Sequence, residues 1–315
     1  GREHEYADAL RGLRSDGPGL FRSVALVGLD TIGRRALASA LIRGLGAGRI
    51  VRRSPTGPVS AATVGTWFEE ETGGVVVIEG LHHLFELRPG GFAPLRRFVR
   101  GVVEDRGRTA FIVMVDTPVW HFAVRASALD AVFAQVVSMR PLTADELEAA
   151  LISRHSMSGY GLQFEASTDL AWQVQDLLSR TEDATLRRQK TWFRMLHHAS
   201  GGILHDALRL WMASVVDVDE SDAVMRMGPV PQPPVSRIRR LPEPTLLTLR
   251  QIASQGWTAP DLYAGQFRVT REEAETHLAA LAHAGLLQFE DGRYVLMPHL
   301  AAPVVNVLAS RGWFQ

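Results

Sequence analysis

The sequence predicts an α/β chain: a parallel sheet covered on both faces, then a helical portion, then a small C-terminal domain of three helices and a hairpin. Three observations carry this expectation. Short apolar runs at 21–27, 75–80 and 109–116 each close on Gly or an acid and read as buried strands. Helical spacing separates them, as the crossovers of a parallel sheet require. From Leu142 the pattern is helical until 228-GPVPQPPV-235, where four prolines in eight residues fit neither a helix nor a central strand and mark a linker.

The elements follow in order. Residues 1–20 read as a short polar helix ending in the turn Ser15-Asp16-Gly17-Pro18-Gly19. Phe21 to Val27 is the first strand. Residues 33–45 place Ala36, Leu37, Ala40, Leu41 and Leu45 on one side of a helix. The Gly/Pro/Ser-rich stretch 46–62 reads as a loop, 75-VVVIEG-80 as the second strand, 94–105 as a helix and 109-TAFIVMVD-116 as the third strand. Thr143 with Glu146 fits a capping box ahead of Leu147, Ala150 and Leu151, and helical spacing continues through 168–180 and 191–215. Beyond the linker, 244-PTLLTLRQIAS-254, 259-APDLYAGQF-267 and 270-TREEAETHLAALAHAGLL-287 read as three helices. The hairpin 287-LQFEDGRYVLM-297 turns on Asp291-Gly292 and completes a winged helix. The expected domains are a core over 1–140, a helical lid over 141–227, a linker over 228–243 and a winged helix over 244–315.

Composition narrows the function classes. At 315 residues the chain suggests about two domains. Lys+Arg and Asp+Glu are both 34, so no whole-chain field draws it to nucleic acid or an anionic membrane. The absence of cysteine excludes disulfides, thiol catalysis and thiolate-bound zinc, and fits a reducing, cytoplasmic setting. No apolar run approaches the roughly 18 residues of a membrane span, so no membrane contact is expected. Lys190 is the single lysine, and arginine is otherwise used throughout, as a GC-rich bacterial genome favours.

The most informative stretch is 24-VALVGLDTIGRRALASALI-42. Strand, Gly-rich turn and helix succeed one another, and 28-GLDTIGRR-35 keeps both glycines of the phosphate-loop spacing G-x-x-x-x-G-K-[ST]. Backbone N–H groups around Gly28 and Gly33 suit a phosphate. Arg34 stands at the lysine position, and planar guanidinium is not equivalent to a compact ammonium. Arg35 stands at the Ser/Thr position and has no lone pair for Mg²⁺. Asp30 adds a negative charge inside the loop. The alternative is a plain strand-turn-helix connection with incidental glycines.

This order of segments resembles AAA+ P-loop ATPases of the origin-recognition and STAND-related kind, over about residues 20–299. The resemblance implies an α/β core, a helical lid and a winged helix, with ATP and Mg²⁺ as the ligands of an intact member. It places Glu79, at the end of 75-VVVI-78, as the stand-in for the metal-shell acid, and Gly80 where the water-activating glutamate belongs. It places the first sensor at Asp116 or Thr117, and an inter-subunit arginine finger at Arg125. In 199-ASGGILHDALRLW-211 it puts the second-sensor position at His205, with Arg209 one turn on. Plain alternatives stand beside these: a polar residue ending a strand for Asp116, a helix-surface arginine for Arg125, and surface or packing residues for His82 and His83. Adjacent histidines do not share a helix face, which argues against a zinc pair.

Lysine, hydroxyl, catalytic glutamate and sensor arginine are thus all replaced. The expectation is a pseudo-ATPase with no catalytic residues and no required cofactor, acting as a scaffold or regulatory module with a protein partner or as an oligomer. The rival is a divergent ATPase that holds its metal through Asp30 or Glu79. DNA binding through the winged helix is the third reading. It is disfavoured because the candidate recognition helix carries Glu272, Glu273 and Glu275 against Arg271 alone. The basic run 237-RIRR-240 reads as part of a solvated linker or as a contact for an anionic partner. Trp257, Trp313 and Phe314 are candidate anchors or core residues.

Overall fold

A computed structural model describes residues 2–14, 22–70, 73–165, 183–232 and 235–313. It divides into two compact units, one of residues 140–234 and one that joins 2–139 to 235–315.

In the larger unit the strands are β1 (Ser23–Val27), β2 (Ile50–Arg53), β3 (Val75–Ile78), β4 (Ala110–Val115) and β5 (Gln135–Ser138). They form one parallel sheet in the order β2-β3-β4-β1-β5. The helices are α1 (Glu3–Leu13), α2 (Arg34–Leu45), α3 (Ala61–Glu70), α4 (Ala93–Asp105) and α5 (Thr117–Ser127). The central strands are apolar throughout because both faces are covered. Ala25, Val27, Val76, Ile78, Phe111, Val113 and Val115 pack on one side with Phe98 and Trp120. Val24, Leu26, Val75, Val77, Ile112 and Met114 pack on the other with Leu37 and Leu41. Period-2 alternation therefore sends every residue of these strands into a core. The expected α/β class with a parallel sheet is what the structure has.

Two strands and one helix fall where the sequence reads as loop or gave no signal. β2 and α3 overlap the stretch expected to be a loop, and β5 follows α5. Both missed strands are sheet edges, so one flank of each faces outward and their composition is mixed: Ile50–Arg53 alternates exposed and half-buried positions.

The smaller unit holds α6 (Ala144–His155), β6 (Gly161–Phe164), α7 (Ala184–Ser200), α8 (Leu204–Ala213), β7 (Val215–Asp219) and β8 (Val224–Met227). The expected capping box is present: Thr143 Oγ1 accepts from Glu146 N at 3.3 Å, and Glu146 Oε2 accepts from Thr143 N at 2.8 Å. The expectation of a purely helical lid is corrected, because β6, β8 and β7 form a three-stranded sheet in that order. Their inward residues Phe164, Met227 and Val215 pack with Trp192, Phe193 and Trp211. The helix expected over 168–180 lies outside the described residues.

The C-terminal domain is a winged helix, as expected: α9 (Val235–Arg239), α10 (Glu243–Gln255), α11 (Pro260–Phe267), α12 (Arg271–His283), the hairpin β9 (Leu287–Glu290) and β10 (Arg293–Leu296), and a further helix α13 (Pro298–Ser310). The hairpin turns on Asp291 and Gly292, both with positive φ, as a type I′ turn requires. The basic run at 237–240 is no free linker. Arg237 to Arg239 lie in α9, and Ile238 between them is buried in the domain's own core. Trp257 is buried and Trp313 packs against that core, the ordinary fate of such residues, while Phe314 lies outside the described residues.

Phe98 is fully buried where α4 meets the sheet. Phe98→Ala is expected to destabilise the larger unit by about 3–5 kcal/mol, read as a lower midpoint in chemical denaturation.

Candidate functional site

The site forms where the central strands end. A parallel sheet delivers all its carboxyl ends to one edge, which is where open α/β sheets bind ligands. Gly28 follows β1, Glu79 follows β3 and Asp116 follows β4. Gly28 N donates to Val115 O at 3.1 Å, which ties the start of the loop to the end of β4. A Cβ on Gly28 would approach Ile32 Cγ2 to 2.8 Å, so the backbone passes where no side chain fits. Residues Asp30–Ile32 make a single 3₁₀ turn; the side chain of Asp30 lies outside the described residues. Gly33 then takes φ 102°, a left-handed conformation natural to glycine, and starts α2. Gly28, Gly33, Arg34, Arg35, Glu79 and Asp116 are therefore brought together at this edge of the sheet.

What they do there differs from a phosphate cradle. Arg34 is 5 % exposed, and its Nη2 donates to Asp116 Oδ1 at 2.9 Å. The side chain that would reach for a phosphate is turned onto the acid at the sensor position. Arg35 Nε donates to Glu79 Oε2 at 3.1 Å, and Arg52 Nη1 lies 3.5 Å from Glu79 Oε1. Sequence reasoning missed Arg52, because it sits on the edge strand β2.

The two pairs differ in weight. Arg34 is buried and needs a partner, but the Asp116 side chain is 30 % exposed, so removing that carboxylate falls at the low end of the about 3–5 kcal/mol that breaking a buried pair costs. Arg35 is 70 % exposed in its side chain, and such a pair is worth about 0–1 kcal/mol. The Arg34 pair is structural, and the Arg35 pair mainly occupies Glu79.

The donor set was tested against Mg²⁺. Mg²⁺ needs oxygen ligands in octahedral array. Both strand-end carboxylates, Glu79 and Asp116, are engaged by guanidinium groups, and no hydroxyl stands at position 35. At about 4 Å and an effective dielectric near 20, two unit charges interact by roughly 4 kcal/mol, and a dication beside a guanidinium meets about twice that as repulsion. The residues present do not fit the metal. Among the described residues no group of three or more His, Asp or Glu is placed to hold a metal ion.

The remaining sequence candidates are dispersed. Thr117 begins α5, and Arg125 is exposed in its last turn. His205 and Arg209 are exposed one turn apart on α8 of the smaller unit.

A second feature adjoins the loop and was not foreseen. His82 and His83 lie in a 3₁₀ turn after β3, and their rings are tilted against each other with centroids 4.1 Å apart. They lie under the winged helix. Gly256, at φ 87°, ends α10 against His82; a Cβ there would approach the imidazole to 2.8 Å. Arg293 of the wing stacks on Trp257 at 4.7 Å and donates to Thr56 O at 2.7 Å. Gln266 Nε2 donates to Leu87 O at 3.0 Å. Burial, with the His83 ring and the guanidinium groups of Arg34 and Arg293, pushes His82 down to about 3. Burial and Arg293 push His83 down to about 4. The packing reading of these histidines is the one the structure supports.

Comparison with family models and with curated proteins finds no match. Among solved structures, the chain is similar to a RuvB variant of Thermotoga maritima, with 18 % identity over 96 % of this chain and 94 % of that one, at a TM-score of 0.47. It is similar to ORC2 of Aeropyrum pernix, with 13 % identity over 99 % and 94 %, at 0.40. It is also similar to a Walker-type ATPase of Pyrococcus abyssi, with 13 % identity over 97 % and 95 %, at 0.41. No described helix is long and apolar enough to cross a membrane.

Two outcomes are expected. Asp116→Ala, which leaves Arg34 buried without that carboxylate, should cost about 3 kcal/mol, whereas Arg34→Met with Asp116→Leu should come close to neutral; denaturation midpoints of the two variants decide this. His82 and His83 stay neutral in the folded chain but regain a pKa near 6.5 on unfolding. The unfolded chain therefore binds more protons below that pH. Stability should be flat above about pH 6.5 and fall steadily from there toward pH 4. Thermal unfolding across that window should show the slope, and His82→Gln with His83→Gln should reduce it.

Proposed function

We propose that this chain is a catalytically degenerate AAA+-like protein that keeps the fold of a P-loop ATPase as a scaffold or regulatory interaction module. One observation carries the reading: the arginines at the lysine and hydroxyl positions of the phosphate loop hold the two acids that a metal would use, Arg34 on Asp116 and Arg35 on Glu79. The chain supplies its own cations where an ATPase recruits Mg²⁺ with its nucleotide. Gly80, where a water-activating glutamate belongs, has no group to take a proton.

Protein contact is favoured over DNA contact for the winged helix. Arg271, the one arginine of α12, is engaged by Glu275 at 2.9 Å and Asp261 at 3.3 Å, while Glu272, Glu273 and Glu275 are exposed. That face repels phosphates, so counterion release supplies no drive. Arg293, the arginine of the wing, is spent on Thr56 and Trp257.

The test is calorimetric titration of the purified chain with ATP, with and without Mg²⁺, after checking for co-purified nucleotide, followed by a steady-state hydrolysis assay. The expected result is no Mg²⁺-dependent binding and no turnover. Mg²⁺-dependent hydrolysis above about 0.1 per second, below the usual enzyme range, and abolished by Glu79→Ala would overturn the reading. The converse variant, Arg34→Lys with Arg35→Thr, restores the loop's cation and hydroxyl and is expected to gain weak Mg²⁺-dependent ATP binding.

A further inference from the structure

Among the described residues, the smaller unit carries a sheet edge of alternating valines and acids with no strand beside it. In the order β6-β8-β7 the last strand has one neighbour, and among the described residues nothing pairs with its other flank. Such an edge presents backbone donors and acceptors as a template for another strand. Its side chains are apolar and exposed: Val216 by 63 % and Val218 by 41 %, with Met212 at the end of α8 by 70 %. Exposed β-branched residues on a strand end are the chemistry of strand addition.

The charge on this edge decides between occupants. Asp217 and Asp219 alternate with the valines, and Glu220 and Asp222 follow in the turn. Arg226 on β8, 3.8 Å from Asp217, is the compensating base nearby. Asp219 is held as a carboxylate: Ser221 Oγ, with the backbone N–H groups of Asp222 and Ser221, donates to it and lowers its pKa. A second copy laid edge to edge would set these acids against their own images, and like charges across a strand pair are destabilising. The irregularity between Val215 and Asp217 also twists the edge away from flat self-pairing. These devices exclude the chain's own edge and leave a surface complementary to a strand in which Arg or Lys alternates with apolar residues.

We propose that β7 is a docking edge for an extended, basic-apolar segment of a partner protein, which adds to the sheet as a fourth strand beside Val215–Asp219. Backbone pairing supplies affinity, Val216, Val218 and Met212 supply the apolar contact, and Asp217 with Asp219 selects the basic side chains. The inference deepens the reading of the chain as an interaction module, and it stands apart from the phosphate loop because it uses no residue of that site.

The test uses the full chain without nucleotide and a fluorescent peptide of alternating Val and Arg. Saturable binding is expected, weakening as salt is raised. A peptide of the same sequence N-methylated at alternate residues keeps every side chain but cannot pair as a strand. It should bind at least about tenfold more weakly, as should a peptide with Glu in place of Arg. Asp217→Lys with Val218→Lys should reduce binding by a similar factor. A photo-reactive form of the first peptide should label the unsubstituted chain within 212–219, which keeps the test valid if the variant misfolds. Equal binding of the N-methylated or Glu peptide, labelling elsewhere, or dimerisation of the chain through this edge would each overturn the proposal. None of these outcomes bears on ATP binding, so its failure and that of the phosphate-loop reading are told apart.

Discussion

The contact on which the nucleotide-type site depends is the pair between buried Arg34 and half-buried Asp116. It joins the first turn of α2 to the end of β4, two elements 82 positions apart in the chain. A guanidinium that is 5 % exposed cannot shed its proton and cannot go unpaired without a cost of several kcal/mol. Its partner is therefore fixed, and with it the angle at which α2 leaves the Gly28–Gly33 turn. A lysine in that place would be a mobile point charge free to follow a phosphate. The arginine is a strut. The Arg34 side chain thus helps hold the sheet's carboxyl edge together.

The same logic extends outward with falling energy. Arg35 and Arg52 hold Glu79 from the exposed side, where ion pairs contribute little to stability but keep local charge balanced. Arg34 and Arg293 then lie near enough to His82 to disfavour its protonation, and burial does more. The winged helix rests on that neutral histidine pair. Its wing arginine is committed to the core through Thr56, and α11 through Gln266 and Leu87. Arg34, Arg35 and Arg293 are thus engaged by groups of the chain itself.

Legibility followed burial. The strands β1, β3 and β4 are central, so both faces of each are apolar and each reads as a run. The edge strands β2 and β5 carry Arg52, Arg53 and Gln135 because one flank is open, and no periodicity marks them. The three short strands of the smaller unit were missed because each is only four or five residues long and lies within a stretch read as helical. In the candidate site, the glycines and the two acids were legible because spacing and strand ends fix them. The pairing of Arg34 with Asp116 was not, because it depends on which side chains the sheet order brings together, and sheet order is a long-range property. Arg293 was legible as a wing residue but not as a core contact, for the same reason.

The retained glycines bear on whether the loop is a relic or a coincidence. Gly28 is needed here on packing grounds alone, since Ile32 and Met139 fill the space a side chain would take. Gly33, at φ 102° with open space around its Cα, is needed on backbone grounds alone. Neither glycine requires a phosphate to explain it. What packing does not explain is the placing of a carboxylate after β3 and another after β4, both facing the turn. In a sheet with no ligand, two such acids would repel each other and any anion nearby. They are stable here because the arginines that follow Gly33 neutralise them. With both acids paired in this way, the carboxyl edge of the sheet is held by the chain's own side chains.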